Sequence, residues 1–324
     1  MPLTHKLMIE SAKAKRRILR AAKGPPIFNQ SLEEASLDGL RVRGLSVKGL
    51  KISRCSLESS SFIDCSFENV AVEASDLSRA SFINCQLKDV EVIDSYLIRA
   101  TFSDCQMENL ALLSSSLSEA AMTGCLFPGV FSAARSILAK ALFFNCGFGD
   151  LSMEECDLLL AVFRGCELNS LAIATSRASQ LQIANLSIPK LAISGSDFSY
   201  GSLAGTKAPG AALSEIDLSG AFFQGSDLSG ADLSRSRAPK AVFDGANLEG
   251  ADLSFIDASY ADFSRARLAG ANAHGAIFSY GNFHRAVGLE GLAPAESAGA
   301  MATNPRLAEA EDFQPLPEAA EDPR

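Results

Sequence analysis

A chain of 324 residues with no tryptophan, 7% aromatic residues and abundant small side chains cannot fill a conventional core of large interlocking groups. The net charge of −9 argues against a protein that wraps a nucleic-acid backbone, where basic surface supplies most of the affinity. No run of 18 apolar residues is present to span a bilayer, and the N-terminus has no apolar signal core, so the expected compartment is the cytoplasm, with export by a dedicated secretion system left open.

Residues 1–30 carry seven Lys and Arg against one Glu. Leu7, Met8, Ala12, Ile18, Leu19 and Ala22 recur at helix-compatible spacing among Lys13, Lys15, Arg16, Arg17 and Arg20, and Gly24-Pro25-Pro26 stops the helix. This segment reads as a cap on whatever follows. A basic amphipathic helix also suits an anionic membrane surface, an acidic partner or a secretion address, and the sequence alone does not choose among them. Membrane contact is expected only through these residues.

From residue 31 a period of five takes over. Stepping by five from Leu32 to Phe127 meets twenty positions, all apolar, among them Leu37, Val42, Val47, Ile52, Leu57 and Phe62. A helix needs a period near 3.6 and a strand a period of 2, so neither accounts for it. Two residues before each centre stands a small side chain such as Ala80, Ala100 or Ala120, and the other three positions are mostly polar. A period of 20 lies over the first, because 61–70 (SFIDCSFENV), 81–90 (SFINCQLKDV) and 101–110 (TFSDCQMENL) align without gaps. Four pentapeptides therefore form one coil, and equivalent sides stack.

The frame slips by one residue near Pro128, Gly129, Val130 and Phe131, which predicts a local bulge in one wall. Beyond it, the 29 positions from Phe143 to Phe283 hold Leu, Ile, Met or Phe except at Ala178, Ala208, Ala238, Ala258 and Ala273. Units such as ADLSR (231–235), ANLEG (246–250), ADLSF (251–255) and ADFSR (261–265) resemble the A(D/N)LXX unit of the pentapeptide-repeat family. That resemblance covers roughly 31–286. It implies an all-β, right-handed quadrilateral β-helix of about twelve coils, roughly 60 Å long at the inter-strand spacing. Residues 287–324, with two Arg against eight Asp and Glu and with Pro294, Pro305, Pro315, Pro317 and Pro323, read as an acidic disordered tail.

Chemistry is sparse. All eight cysteines fall at the small inward position, and Cys65, Cys85, Cys105, Cys125, Cys146 and Cys166 share one column, where they read as small apolar fillers rather than metal ligands. His5, His274 and His284 lie apart, the two latter at outward positions, so no nucleophile and base are brought together. The reading is therefore of a non-enzyme with no catalytic residue, metal or cofactor. The spacing puts Tyr200, Tyr260 and Tyr280 in one outward column, with Phe255, Arg265, His284 and Arg285 on neighbouring sides, and exposed Tyr and Arg are enriched in binding hot spots. These seven residues form the candidate protein-binding surface of an interaction scaffold whose partner and oligomeric state the residues do not name. The resemblance also brings two alternatives: a bacterial secretion-system effector or accessory protein, and a DNA-mimicking inhibitor of a topoisomerase such as gyrase. The second wants a concentrated acidic face, which a body of this mixed charge does not offer.

Overall fold

The computed structural model describes residues 3–22, 24–292 and 295–312. An N-terminal helix α1 (Leu3–Ala21) leads into a parallel β solenoid, and a second short helix α2 (Pro305–Glu311) follows it. The register between successive coils is 20 residues, as in Val47 opposite Phe67 and Phe67 opposite Leu87. Identical positions therefore stack, and Phe62, Phe82 and Phe102 form a ladder of rings with centroids 5.1 and 4.8 Å apart. The centres found by stepping in fives, from Leu32 through Phe283, are buried along the axis.

The backbone explains the five-residue period. Two residues after most centres the chain adopts a left-handed conformation, for example at Asp64 (φ 54°), Asn69 (φ 52°) and Arg79 (φ 57°), and each such residue makes a corner. Asn, Asp and Gly take this conformation at least cost, which is why they crowd that slot. In the first half, eight-residue strands such as Ser66–Glu73 and Gln86–Ile93 run across two sides and through the corner between them. Beyond residue 195 the strands shrink to single bridges, and corner after corner closes with a turn, as when Gly201 N–H donates to Phe198 O (3.0 Å) and Thr206 N–H to Leu203 O (3.0 Å). The Asp and Ser of the later repeats serve these turns: Asp232 Oδ1 accepts the Ser234 N–H and Asp252 Oδ1 the Ser254 N–H, both at 2.9 Å.

The slip is a bulge. Pairing of strand Leu126–Ala134 with Gln106–Leu113 shifts between Leu126 and Phe131, and the register across it is 21 residues, as in Ala121 opposite Leu142.

Both ends differ from the sequence expectation in detail. On α1 the line facing the first coil is Ser11, Ala14, Lys15, Ile18, Ala21 and Ala22, at three- and four-residue steps, and Ile18 enters the core. Leu19 and Ala12 are exposed, because each sits one residue, about 100° of helix, from that line. The side chains of Leu7 and Met8 lie outside the described residues. Ser36 N–H donates to Ser11 Oγ (2.8 Å), Lys15 Nζ to Asp38 O (3.2 Å), and the Arg17 guanidinium to Gln30 Oε1. At the other end the ladder runs past 286, since Glu296 bridges Ile277 and Met301 bridges Asn282. One column thus has fourteen rungs from Ser36 to Glu296, more than the twelve coils expected. Residues 313–324 of the expected tail lie outside the described residues.

Candidate interaction surface

Corner residues project most, and this is where the candidate aromatics sit. Tyr260 and Tyr280 are more than half exposed, and their rings stack 10° from parallel with centroids 4.9 Å apart. Tyr280 lies flat on Gly299, where an added Cβ would come within 2.7 Å of the ring. Phe255, 48% exposed, is the preceding corner of the same coil. It lies over Gly275, meets His274 edge-on at 5.3 Å, and has the Arg235 guanidinium 5.0 Å from its centroid. Two aromatic rails thus border one side of the solenoid, whose outward residues between them are Asp257, Ser259, Ile277 and Ser279. The recurrence of Gly twenty or nineteen residues after Tyr200, Phe255 and Tyr280 is the sequence signal that these rings lie down on the next coil.

The remaining candidates are not brought into that group. Tyr200 shares the column but stands three coils away, with Gly220 and Lys240 between, and its ring lies on Gly220. Arg265 is at the far edge of the adjoining side and holds Asp244 through Nε (2.8 Å). His284 and Arg285 need correction, because α2 covers them. His284 is only 7% exposed, its Nδ1 accepts the Asn304 N–H (3.2 Å), and its Nε2 faces Glu311 Oε2 (3.3 Å). Arg285 pairs with Asp312 (2.8 Å), and its Nε lies 3.0 Å from Glu311 without hydrogen-bond alignment. Sequence spacing placed both outward correctly but could not show that a helix twenty residues later folds back over them. Both ring nitrogens of His284 are engaged, so it offers no free base to a neighbouring hydroxyl.

A family model described as pentapeptide repeats matches residues 75–110, 196–235, 226–265 and 259–287, in eight copies. The chain is a pentapeptide-repeat protein. Among solved structures it is similar to HetL, a pentapeptide repeat protein involved in heterocyst differentiation regulation from the cyanobacterium Nostoc, with 19% identity over 88% of this chain and 92% of that one and a TM-score of 0.30. QnrB1, a plasmid-mediated fluoroquinolone resistance protein, shares 16% identity over 78% of this chain and 100% of its own, with a TM-score of 0.28. Rfr23 from the cyanobacterium Cyanothece shares 22% identity over 41% and 60% of the two chains, with a TM-score of 0.18. No curated protein matches the sequence.

Inside the pentapeptide-repeat solenoid all eight cysteines are buried. In the six-residue column each thiol donates to the carbonyl of a centre one coil below, Cys85 to Phe62 O, Cys105 to Phe82 O and Cys125 to Phe102 O, all at 3.4 Å. The Cys85 thiol is pushed up to about 11, first by its hydrogen bond to Cys105 and then by burial. Cys105 is likewise raised to about 11 by Cys125 and by burial, so these groups stay protonated and unreactive at neutral pH. A neighbouring inward column does the same with hydroxyls, where Ser75 N–H donates to Ser95 Oγ (3.0 Å) and Ser95 N–H to Ser115 Oγ (3.1 Å). Among the described residues no three His, Cys, Asp or Glu are arranged to hold a metal ion, and no helix is long and apolar enough to cross a membrane.

Proposed function

We propose that this chain is a non-catalytic scaffold that binds a protein partner along its side, through the aromatic rails of Phe255, Tyr260 and Tyr280. The observation that carries the reading is the stacked, exposed Tyr260 and Tyr280 pair facing Phe255 across one side of the solenoid. Flat rings already held against the next coil lose little side-chain entropy on binding, the property that makes aromatic anchors effective. Tyr200, Arg265, His284 and Arg285 belong outside the anchor set, as rim or as internal contacts of the C-terminal end.

A DNA-like surface is not what the sides present. Charges alternate in sign up the columns, with Lys48 on Glu68 (2.7 Å), Lys88 on Glu108 (3.3 Å) and Arg99 on Glu119 (2.8 Å). Such ladders neutralise themselves and leave no continuous acidic face. The test is quantitative co-purification of partners by the full chain and by Tyr260→Ala/Tyr280→Ala and Phe255→Ser variants. Loss of the same partner from both variants, with unfolding midpoints unchanged, supports the assignment, and equal recovery by all three removes these residues from the interface.

A further inference from the structure

The bulge opens a second surface in the middle of the rod, independent of the aromatic rails. Leu126, Pro128 and Val130 all point outward from the bulged strand, and Leu126 and Val130 are nearly half exposed. In the coils below, the equivalent outward positions hold polar side chains such as Gln106 and Glu108, and in the coil above they hold Gly147 and Gly149. The extra residue therefore sets an apolar patch into a charged face.

Beside this patch runs a groove of about 420 Å³, parallel to the rod. Asn69, Asp89 and Asn109 form one bank, Ala71, Glu91 and Ala111 the other, and Val130 stands at its end. The nearby carboxylates are neutralised from the next coil, Glu68 by Lys48, Glu73 by Lys51 (2.9 Å) and Glu108 by Lys88. Asp89 accepts only the Asn109 amide (2.8 Å), and among the described residues no cation pairs with Asp89 or Glu91. The groove is thus an acidic slot with an aliphatic end.

We propose that this groove receives an extended segment of a partner protein, with one Arg or Lys seated between Asp89 and Glu91 and an adjacent aliphatic side chain against Val130 and Pro128. The charge complementarity fixes the basic residue, and the apolar patch fixes its neighbour. Three coil spacings of about 4.8 Å accommodate about four extended residues, and the small side chains of Ala71, Ala111 and Ser132 leave one bank low enough for a backbone.

The probe is a fluorescent hexapeptide, acetyl-Ser-Val-Arg-Val-Val-Ser-amide, measured by anisotropy against the full chain at physiological salt. Saturable binding is expected, weakened about ten-fold by Glu91→Lys and by Val130→Ser, both exposed positions whose unfolding midpoints are checked in parallel. Controls replace the peptide's Arg by Glu or its three Val by Ser, and both should bind at least ten-fold more weakly. Absence of saturable binding, equal affinity for the Ser-substituted peptide, or indifference to either variant overturns the proposal.

Discussion

Ile18 decides whether α1 is part of the fold. Its side chain is 6% exposed and joins a cluster with Leu32, Leu37 and Leu40 at the open end of the solenoid. Truncation to Ala removes three carbons, worth about 2.4 kcal/mol at about 0.8 kcal/mol per buried methylene. A void of about 30 Å³ already lies beneath it, and an end site relaxes more readily than a central one, so the cavity term adds little. Ile18→Ala should therefore cost about 2–3 kcal/mol in the first coils, and deletion of 1–26 more, with association through the uncovered apolar end. Arg16 and Arg20 are exposed, and their joint replacement by Glu should stay within about 0.5 kcal/mol. The assay is urea unfolding followed by circular dichroism, with hydrogen exchange at Leu37 and Val42 reporting the end locally. Unchanged exchange in Ile18→Ala, or a larger loss from the charge reversal than from Ile18→Ala, would refute the capping role.

Four further outcomes follow from particular contacts. Cys105→Ala should cost little, whereas Cys105→Leu should destabilise by about 1–3 kcal/mol by overfilling the wall, measured by denaturant midpoint; thiol titration should find the column unreactive until the chain unfolds. Burial raises the Asp38 carboxyl, but hydrogen bonds from Ser56, Ser36 and the Glu58 N–H, with Lys15 nearby, outweigh it and hold the group below the ordinary carboxylate range. Because the folded value is the lower one, its stabilisation is complete above the unfolded pKa of about 3.9 and is lost as pH falls through the folded value, so Asp38→Asn should flatten the acid limb of a stability profile. Ala74 holds φ 47° at an exposed corner, and Ala74→Gly should raise stability by about 1 kcal/mol in thermal or urea unfolding. Gly149→Ala should destabilise the bulge, since its Cβ would stand 2.8 Å from Gly129 O and 2.9 Å from Pro128 O, and backbone cannot yield as a side chain can.

The solenoid was legible because every coil repeats one physical demand, an apolar centre and a small neighbour inward, and the chain states it dozens of times. The bulge was legible for the same reason, as a single break in frame. What the sequence concealed lies where the demand lapses. In the terminal level the spacing from Ile277 to Glu296 is 19, and the register of Phe278 and Phe283 falls on Ser297 and Ala302, so a search for apolar centres stops too early. The burial of His284 depends on a contact with Glu311 made 27 residues away by a helix outside the repeat. The groove beside Val130 arises from how the bulged backbone redirects three side chains, and composition carries no trace of that. The stacking of Tyr260 on Tyr280 was implied by their shared column, but their separation from Arg265, His284 and Arg285 required the corners to be located.

In-register stacking makes the nearest neighbour of most side chains the residue twenty positions away rather than the one beside it in sequence. Asn84 holds Asp64 (2.8 Å), Asn109 holds Asp89 and Asn272 holds Asp252 (3.0 Å) by the same rule. Length in such a molecule is quantised. Excising 211–230 would join Gly210 to Ala231, set Asp232 on Ala192 where Ala212 now lies, and return a shorter rod with every column continuous. Removing a single residue leaves half a coil out of phase, and the chain must then find room for the mismatch in one wall, as it has done once at Pro128 and Gly129.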